Sequence, residues 1–112
     1  MTEAAARARY DVETAVTRFD TVTRAIIDGR TTGFCKLIVG RTDHRILGCH
    51  VVGDRAVDTA QIAAVAMAGG LTVDALSRLP LSFPTYAGAL ARAAASAAYS
   101  LNKGEGAEAP VA

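Results

Sequence analysis

Hydrophobic and polar positions alternate most clearly between Gly33 and Val52, and this alternation predicts a β-hairpin. A polar break at residues 41–45 separates two runs of β-forming residues, as in a hairpin whose turn is longer than two residues. Side chains alternate across a strand, so each run has an apolar face and a mixed face. The apolar odd positions, which we expect to face the core, are Cys35, Leu37, Val39, Leu47, Cys49 and Val51.

A period of two also runs from Tyr10 to Arg18 and predicts another strand. One face would carry two hydrophobic valines and the other face would carry acidic and hydroxyl side chains. A strand with one buried face and one solvent-exposed face is typical of an antiparallel sheet. The predicted faces are Tyr10, Val12, Thr14 and Val16 on one side, and Asp11, Glu13 and Thr17 on the other.

Two helices are predicted from apolar spacing and from their end signals. Asp20 is a candidate N-cap for a helix over residues 21–28, and Gly29 would end it. A second helix is predicted at residues 56–68 and is apolar nearly all round, so we expect it to be buried on most sides. A glycine pair at residues 69–70 ends this second helix.

The last third of the chain predicts a short helix, an extended segment and a long helix. Thr72 can cap a helix through residue 79, which Pro80 ends. Pro84 suits the first turn of a final helix over residues 85–101. The apolar stripe of that helix consists of Tyr86, Leu90, Ala93, Ala97 and Leu101.

This order of elements predicts the α+β class, with an antiparallel sheet packed against helices. At 112 residues the chain is one domain. We assign residues 1–9 to a flexible leader or linker, residues 10–102 to the domain and residues 103–112 to a disordered tail. The far side of the sheet and the Ala-rich last helix would remain partly uncovered, which indicates a surface that needs a partner.

Charge and hydropathy argue against two classes of partner. The chain has 12 basic and 11 acidic residues and a formal net charge of +1, so it lacks the basic patch of a nucleic-acid or anionic-membrane binder. It has no apolar run of about 18 residues and no secretory signal, so we expect a cytoplasmic protein. We expect buried thiols there, although a register that places Cys35 opposite Cys49 would allow a disulfide.

The titratable side chains form no recognisable catalytic or metal-binding pattern. The chain has no glycine-rich nucleotide loop and no Cys-x-x-Cys pair. We interpret His44 as a solvated turn residue and His50 as a half-buried structural residue. The two histidines and two cysteines fit no zinc module, and Ser82 and Ser96 lack a basic partner nearby in the sequence. The residues alone therefore predict no catalytic group and no metal site.

The predicted Ala-rich helix lies between segments whose order is distinctive. It follows Gly33-Phe-Cys-Lys-Leu-Ile-Val and Thr42-Asp-His-Arg-Ile-Leu-Gly-Cys-His-Val-Val-Gly, and it precedes Phe83-Pro-Thr-Tyr-Ala. Together these segments resemble the C-terminal dimerisation domain of the FAD-dependent pyridine nucleotide-disulfide oxidoreductases. That family includes dihydrolipoamide dehydrogenase, glutathione reductase, mercuric reductase and soluble transhydrogenase. The similarity runs from about Tyr10 to Leu101.

The resemblance implies a homodimer in which each copy completes the flavin site of its partner. FAD and NAD(P) would be bound by other domains of the parent enzyme, and this chain alone would bind neither cofactor. The segment around Phe83, Pro84 and Thr85 would face the partner's flavin. Family members that reduce dithiols carry a general acid/base histidine at the position of Phe83 and a glutamate at that of Gly88. A phenyl ring cannot carry a proton, so the resemblance assigns no catalytic residue to this chain.

Three functions remain open from the sequence. The first is a homodimerisation module of a flavin oxidoreductase, without catalysis of its own. The second is a subunit of a split enzyme, assembled with a separately encoded FAD- and NAD(P)-binding chain. The third is a small-ligand-binding domain that reuses the fold, with a pocket near Phe83, Tyr86 and His50.

Overall fold

The computed structural model describes residues 1–103 and shows a three-stranded antiparallel sheet with helices, which confirms the α+β class. None of the helices in this range is long and apolar enough to cross a membrane. The elements are α1 (Glu3–Arg7), β1 (Val12–Arg18), a 3-10 turn (Phe19–Thr21), α2 (Thr23–Asp28), β2 (Phe34–Gly40), β3 (Ile46–Val52), α3 (Ala56–Ala68), α4 (Val73–Ser77) and α5 (Gly88–Asn102).

The sheet has the order β1-β2-β3, and the predicted hairpin is its β2–β3 half. A bulge interrupts the register, because Ile38 pairs with Gly48 whereas Val39 pairs with Ile46. The extra residue reverses the alternation, as β-bulges do. Leu47 therefore packs on the outer face of the sheet, and Ile46 takes the core position that the sequence assigned to Leu47.

The cysteines of the hairpin do not lie directly opposite each other. Cys35 pairs with Val51, and Leu37 pairs with Cys49. Both cysteines are free, and their sulfur atoms are 4.0 Å apart. The register that would have allowed a directly opposed disulfide is therefore wrong, while the prediction of thiols agrees with the structure.

Helices α3 and α5 lie on the inner face of the sheet, and α4 packs against α5 to complete the core. The predicted stripe of α5 is correct, since Leu90, Ala93 and Ala97 are buried in the main hydrophobic cluster with Tyr86. This stripe packs inward, because α5 contacts β1 and β2. The stripe therefore cannot contact a partner subunit, although the sequence predicted that the last helix would be partly uncovered.

The N-terminal residues differ from the flexible leader that the sequence predicted. Thr2 caps α1 by accepting a hydrogen bond from the Ala5 amide. Ala6 is fully buried on the outer face of the sheet, against Val12 and Ile38. The sequence did not predict this contact, because the only buried side chain of α1 is the small Ala6 and there is no larger apolar residue to signal it.

Strand β1 begins at Val12, two residues later than predicted, and its faces are only partly as expected. Val16 is 55% exposed, whereas Ala15 and Thr17 are buried. Helix α5 covers the face that carries Ala15, so the sheet buries the small side chains here and leaves a valine in solvent. Of the predicted tail, only Lys103 is described, and the other residues lie outside the described range.

Helix α2 starts later than predicted and lacks the predicted cap. Val22 occupies the N-cap position without a side-chain hydrogen bond, and Asp20 instead pairs with Arg18 at 3.2 Å. The 3-10 turn before α2 displaces the start of the helix. Gly29 ends it as predicted, in the left-handed conformation at φ 69°.

Helix α3 has the predicted bounds but is not buried on most sides. Thr59, Ala63 and Ala66 form its buried face, which contacts β3. Val57 is 80% exposed and Val65 is 64% exposed. Apolar composition alone was misleading here, because the buried residues of α3 are small and the larger Ile62 and Met67 are only partly buried against the core.

The beginning of α4 matches the sequence, and the beginning of α5 does not. The Thr72 hydroxyl accepts a hydrogen bond from the Ala75 amide and caps α4 as predicted. Helix α5 starts at Gly88, so Pro84 belongs to the preceding segment and not to the first turn of the helix. This leaves residues 78–87 as an irregular connection between α4 and α5.

Candidate functional site

The connection between α4 and α5 carries the residues to which the family resemblance assigns a flavin-facing role. Phe83 is 77% exposed, whereas Pro84 and Thr85 are half-buried. The Thr85 hydroxyl donates to the Ser82 carbonyl at 2.7 Å, and the Arg24 Nε donates to the Pro84 carbonyl at 3.3 Å. The Phe83–Pro84 peptide bond is cis. The exposed aromatic ring thus lies between two carbonyls, of Ser82 and Pro84, that both accept hydrogen bonds.

Tyr86 anchors the end of this segment to the core. Its ring lies 5.8 Å from that of Phe19, with 39° between the planes, a tilted geometry that aromatic pairs favour. Its hydroxyl donates to Asp28 Oδ2 at 2.8 Å. Burial is the largest cause of the raised pKa of Tyr86, and the hydrogen bond to the Asp28 carboxylate raises this pKa further. The phenol thus serves as a neutral anchor that is hydrogen-bonded to Asp28.

A cleft of about 320 Å³ opens between this connection, the 3-10 turn and α5. We call it the Phe83 cleft. Arg92 is the charged residue among the fourteen that line it. The lining residues are Thr21, Val22, Thr23, Ser77, Leu79, Pro80, Leu81, Ser82, Phe83, Thr85, Gly88, Ala91, Arg92 and Ala95.

A second, more polar cleft lies on the other side of Pro84 and Thr85. Three arginine–aspartate pairs line it, and all three pairs are long: Arg24–Asp28 at 3.5 Å, Arg30–Asp54 at 3.6 Å and Arg55–Asp58 at 4.0 Å. The charges of opposite sign balance, so this cleft favours neither an anion nor a cation. The hydroxyl of the buried Thr59, which also lines it, has no hydrogen-bond partner among the described residues.

The two positions where the resemblance expects an acid/base pair contain no titratable group. Phe83 offers only a ring, and Gly88 is the first residue of α5. A Cβ at Gly88 would meet its nearest atom, in Val22, at 4.0 Å. A side chain would therefore fit at position 88, so packing does not explain why this chain has a glycine there and not a glutamate.

His50 does not join Phe83 and Tyr86 in one pocket. It pairs with Lys36 on β2, and its Nε2 lies 2.9 Å from the Met1 carbonyl. Its neighbours Cys49 and Val51 pack against the core that contains Tyr86, so His50 points to the opposite face of the sheet. The pocket of three residues that the sequence allowed is therefore not formed.

A histidine–aspartate contact that the sequence did not predict joins the hairpin turn to α4. His44 Nδ1 lies 2.6 Å from Asp74 Oδ2, and the Asn102 amide donates to Asp74 Oδ1 at 2.7 Å. Burial alone would raise the pKa of Asp74, but the hydrogen bonds from His44 and Asn102 outweigh it and lower the pKa. His44 is thus a partner in a polar cluster and not the solvated residue that we expected. The contact spans thirty positions, and no local pattern signals it.

The cysteine pair lies away from both clefts. The hydrogen bond with Cys49 and burial raise the pKa of Cys35, whereas the hydrogen bond from Cys35 lowers the pKa of Cys49. A buried thiol of raised pKa is a poor nucleophile. Within residues 1–103, no three His, Cys, Asp or Glu side chains converge in a geometry that could hold a metal ion.

Comparison with known proteins finds one family model and several relatives that match this chain. The model of the family described as pyridine nucleotide-disulphide oxidoreductase, dimerisation domain, matches residues 1–94. Mercuric reductase of Lysinibacillus sphaericus is 39% identical over 85 residues, which are 76% of this chain and 16% of the relative. Soluble pyridine nucleotide transhydrogenase of Mycobacterium bovis (strain BCG / Pasteur 1173P2) is 32% identical over 82 residues, which are 73% of this chain and 18% of the relative.

One solved structure shows the same fold at lower sequence identity. The HOCl-induced flavoprotein disulfide reductase RclA from Escherichia coli matches with a TM-score of 0.79 and 24% identity, over 84% of this chain and 22% of that one. This chain spans less than a fifth of the length of the two curated relatives, at 16% and 18%.

Proposed function

Because the chain belongs to the pyridine nucleotide-disulphide oxidoreductase dimerisation-domain family, we propose that it forms a homodimer and places Phe83, Pro84 and Thr85 against the flavin of its partner subunit. The family assignment agrees with the resemblance found in the sequence. The observation that carries the proposal is the Phe83 ring, which is 77% exposed on a segment whose backbone is hydrogen-bonded on both sides. Leu79, which is 44% exposed, lines the same cleft as Phe83, and exposed apolar residues that lie together mark interaction sites.

The role proposed for this segment is to exclude water, and it involves no proton transfer. Phe83 and Pro84 carry no titratable group, and the hydroxyl of Thr85 already donates to the Ser82 carbonyl. Tyr86, the nearest phenol, is committed to Asp28. The chain therefore supplies an apolar wall, while FAD and NAD(P) in other domains of the parent enzyme supply the hydride chemistry.

The surface proposed for self-association is the part of the outer sheet face that α1 leaves uncovered, together with the Phe83 segment. Val16 and Val52 are 55% and 53% exposed on that face. The apolar stripe of α5 does not belong to this surface, because it is buried in the core. The flavin and nicotinamide domains belong either to the same polypeptide or to a separate chain of a split enzyme, and we expect the assembly to be cytoplasmic.

The test is to isolate the native polypeptide that carries this sequence and measure its mass and its flavin content. We expect a particle with two copies of this chain, and the visible absorbance of oxidised flavin in the same fraction. Subunit mass in denaturant then distinguishes one long polypeptide from a split enzyme. A monomer without flavin, alone or in complex, would refute the proposal.

The role of Phe83 itself is tested with a matched pair of variants of that native protein. Phe83→Ser should increase the quenching of flavin fluorescence by iodide, because the proposed wall would be lost. Val57→Ser is the control, since Val57 is 80% exposed but lies on α3, away from the segment. Equal quenching in the two variants would show that Phe83 does not cover the flavin.

A further inference from the structure

The Phe83 cleft has the size of a small-ligand site. Its volume of about 320 Å³ lies at the lower end of the range for ligand pockets, about 300–1,000 Å³. An apolar cavity of about 150 Å³ holds one benzene molecule, so this cleft can hold a body of about two rings. A larger, polymeric ligand would extend out of it.

Most of the polar groups that line the cleft are already satisfied by the protein. The Ser77 hydroxyl donates to the Asp74 carbonyl at 2.7 Å, and the Thr21 hydroxyl donates to the Arg18 carbonyl at 2.7 Å. Thr85 donates to the Ser82 carbonyl in the same way. The walls between them are apolar and include Val22, Leu79, Leu81, Phe83 and Ala95. The cleft therefore favours an apolar ligand body.

Arg92 gives the cleft a single positive charge. It is the one charged residue in the lining, and none of the ion pairs within residues 1–103 involves it. Its Nη1 donates to the Thr21 carbonyl, and a guanidinium has five N–H donors in all. Donors therefore remain for a ligand, and their planar fork fits a carboxylate.

From these features we propose that the Phe83 cleft binds a small monocarboxylate with an apolar body of about two rings, whose carboxylate pairs with Arg92. One guanidinium neutralises one carboxylate, whereas a phosphate monoester would bring nearly two charges into a cleft with a single counter-charge. The apolar body lies against Val22, Leu79 and Leu81. The exposed Phe83 ring closes one side, so the ligand lies beside the segment discussed above, but its binding does not depend on dimerisation.

The test uses naphthoate as the probe and the full 112-residue chain. Calorimetry should show saturable binding at one site, and an amide-resolved NMR titration should show the largest shifts at Gly88, Ala91 and Ala95 in the lining. Naphthamide has the same shape without the charge and should bind at least about tenfold more weakly, as expected when a hydrogen bond to a charged group is lost. Equal binding of the two probes would overturn the assignment of Arg92, and no binding would overturn the site.

Four variants separate a specific site from adventitious binding. Arg92→Gln should weaken naphthoate about tenfold or more, whereas Arg78→Gln, at an exposed arginine outside the lining, should not change the affinity. Ala95→Leu should block the cleft and abolish binding of both probes. Arg92→Lys keeps the charge without the planar fork and gives a second test if Arg92→Gln does not fold. Unchanged affinity in Arg92→Gln or Ala95→Leu would refute the proposal.

Discussion

The substitution Phe19→Leu tests how much the packing of Phe19 against Tyr86 contributes to the stability of the domain. Phe19 is fully buried, and its ring packs against that of Tyr86 at 5.8 Å. Leucine keeps most of the apolar volume but leaves a void, and a void of about one methyl group costs about 1 kcal/mol. The aromatic pair contributes about 0.5–1.5 kcal/mol beyond burial. The free energy of unfolding should therefore fall by about 2 kcal/mol.

The assay is urea unfolding followed by circular dichroism, with a thermal melt as a second measurement. A loss of about 2 kcal/mol should lower Tm by roughly 8–16 °C in a domain of this size. Phe83→Leu is the matched control, because the same change at a ring that is 77% exposed should alter stability by less than about 0.5 kcal/mol. Equal losses in the two variants would refute the assignment of Phe19 to the core.

Three further predictions follow from other contacts. The lowered pKa of Asp74 means that its contribution to stability is fully present above the unfolded value of about 3.9 and is lost as pH falls towards the folded pKa. Asp74→Asn should therefore flatten the acid side of the curve of stability against pH, measured by urea unfolding, and an unchanged curve would contradict the hydrogen bonds that we describe. Cys35 should resist iodoacetamide in the folded protein, while the half-buried Cys49 reacts first. Mass spectrometry of the alkylated peptides checks this, and equal rates would contradict it. Gly33→Ala should destabilise more than Gly70→Ala in urea unfolding, because its Cβ would meet a backbone oxygen at 2.1 Å whereas the Cβ at Gly70 meets only open space.

The elements of the fold were largely predictable, because they depend on local periodicity. The hairpin, the stripe of α5, the cap of α4 at Thr72 and the stop of α2 at Gly29 all follow from neighbouring residues. The bulge at Ile46 and Leu47 was not predictable, since a run of apolar residues on both faces fits either register. One inserted residue then decided which of the two side chains entered the core.

Burial was harder to predict than secondary structure. The sequence of α3 is apolar on nearly all sides, yet its buried positions are small residues and Val65 remains 64% exposed. Conversely, Ala6 is fully buried although no apolar pattern around it predicted a helix or a packing contact. Which side chain is covered depends on distant elements, and a single sequence does not contain that geometry.

The flavin-facing role of the Phe83 segment stays a prediction, whereas the contacts around the segment came only from the structure. The resemblance located the segment at Phe83, and the structure exposes that ring. The contact of His44 with Asp74 and the position of Arg92 beside Thr21 both join distant parts of the chain. Such pairs form only after the helices have packed, so sequence spacing could not reveal them.

The exposure of Phe83 has a consequence for how this segment can diverge among relatives. The ring contributes little to the core, so another side chain can replace it without repacking the domain and at little cost in stability. The supporting contacts, from Arg24 to the Pro84 carbonyl and from Tyr86 to Asp28, involve other residues and would persist after such an exchange. Evolution can therefore change or remove a proton-carrying group at this position in a single substitution, while the scaffold that presents the position stays the same.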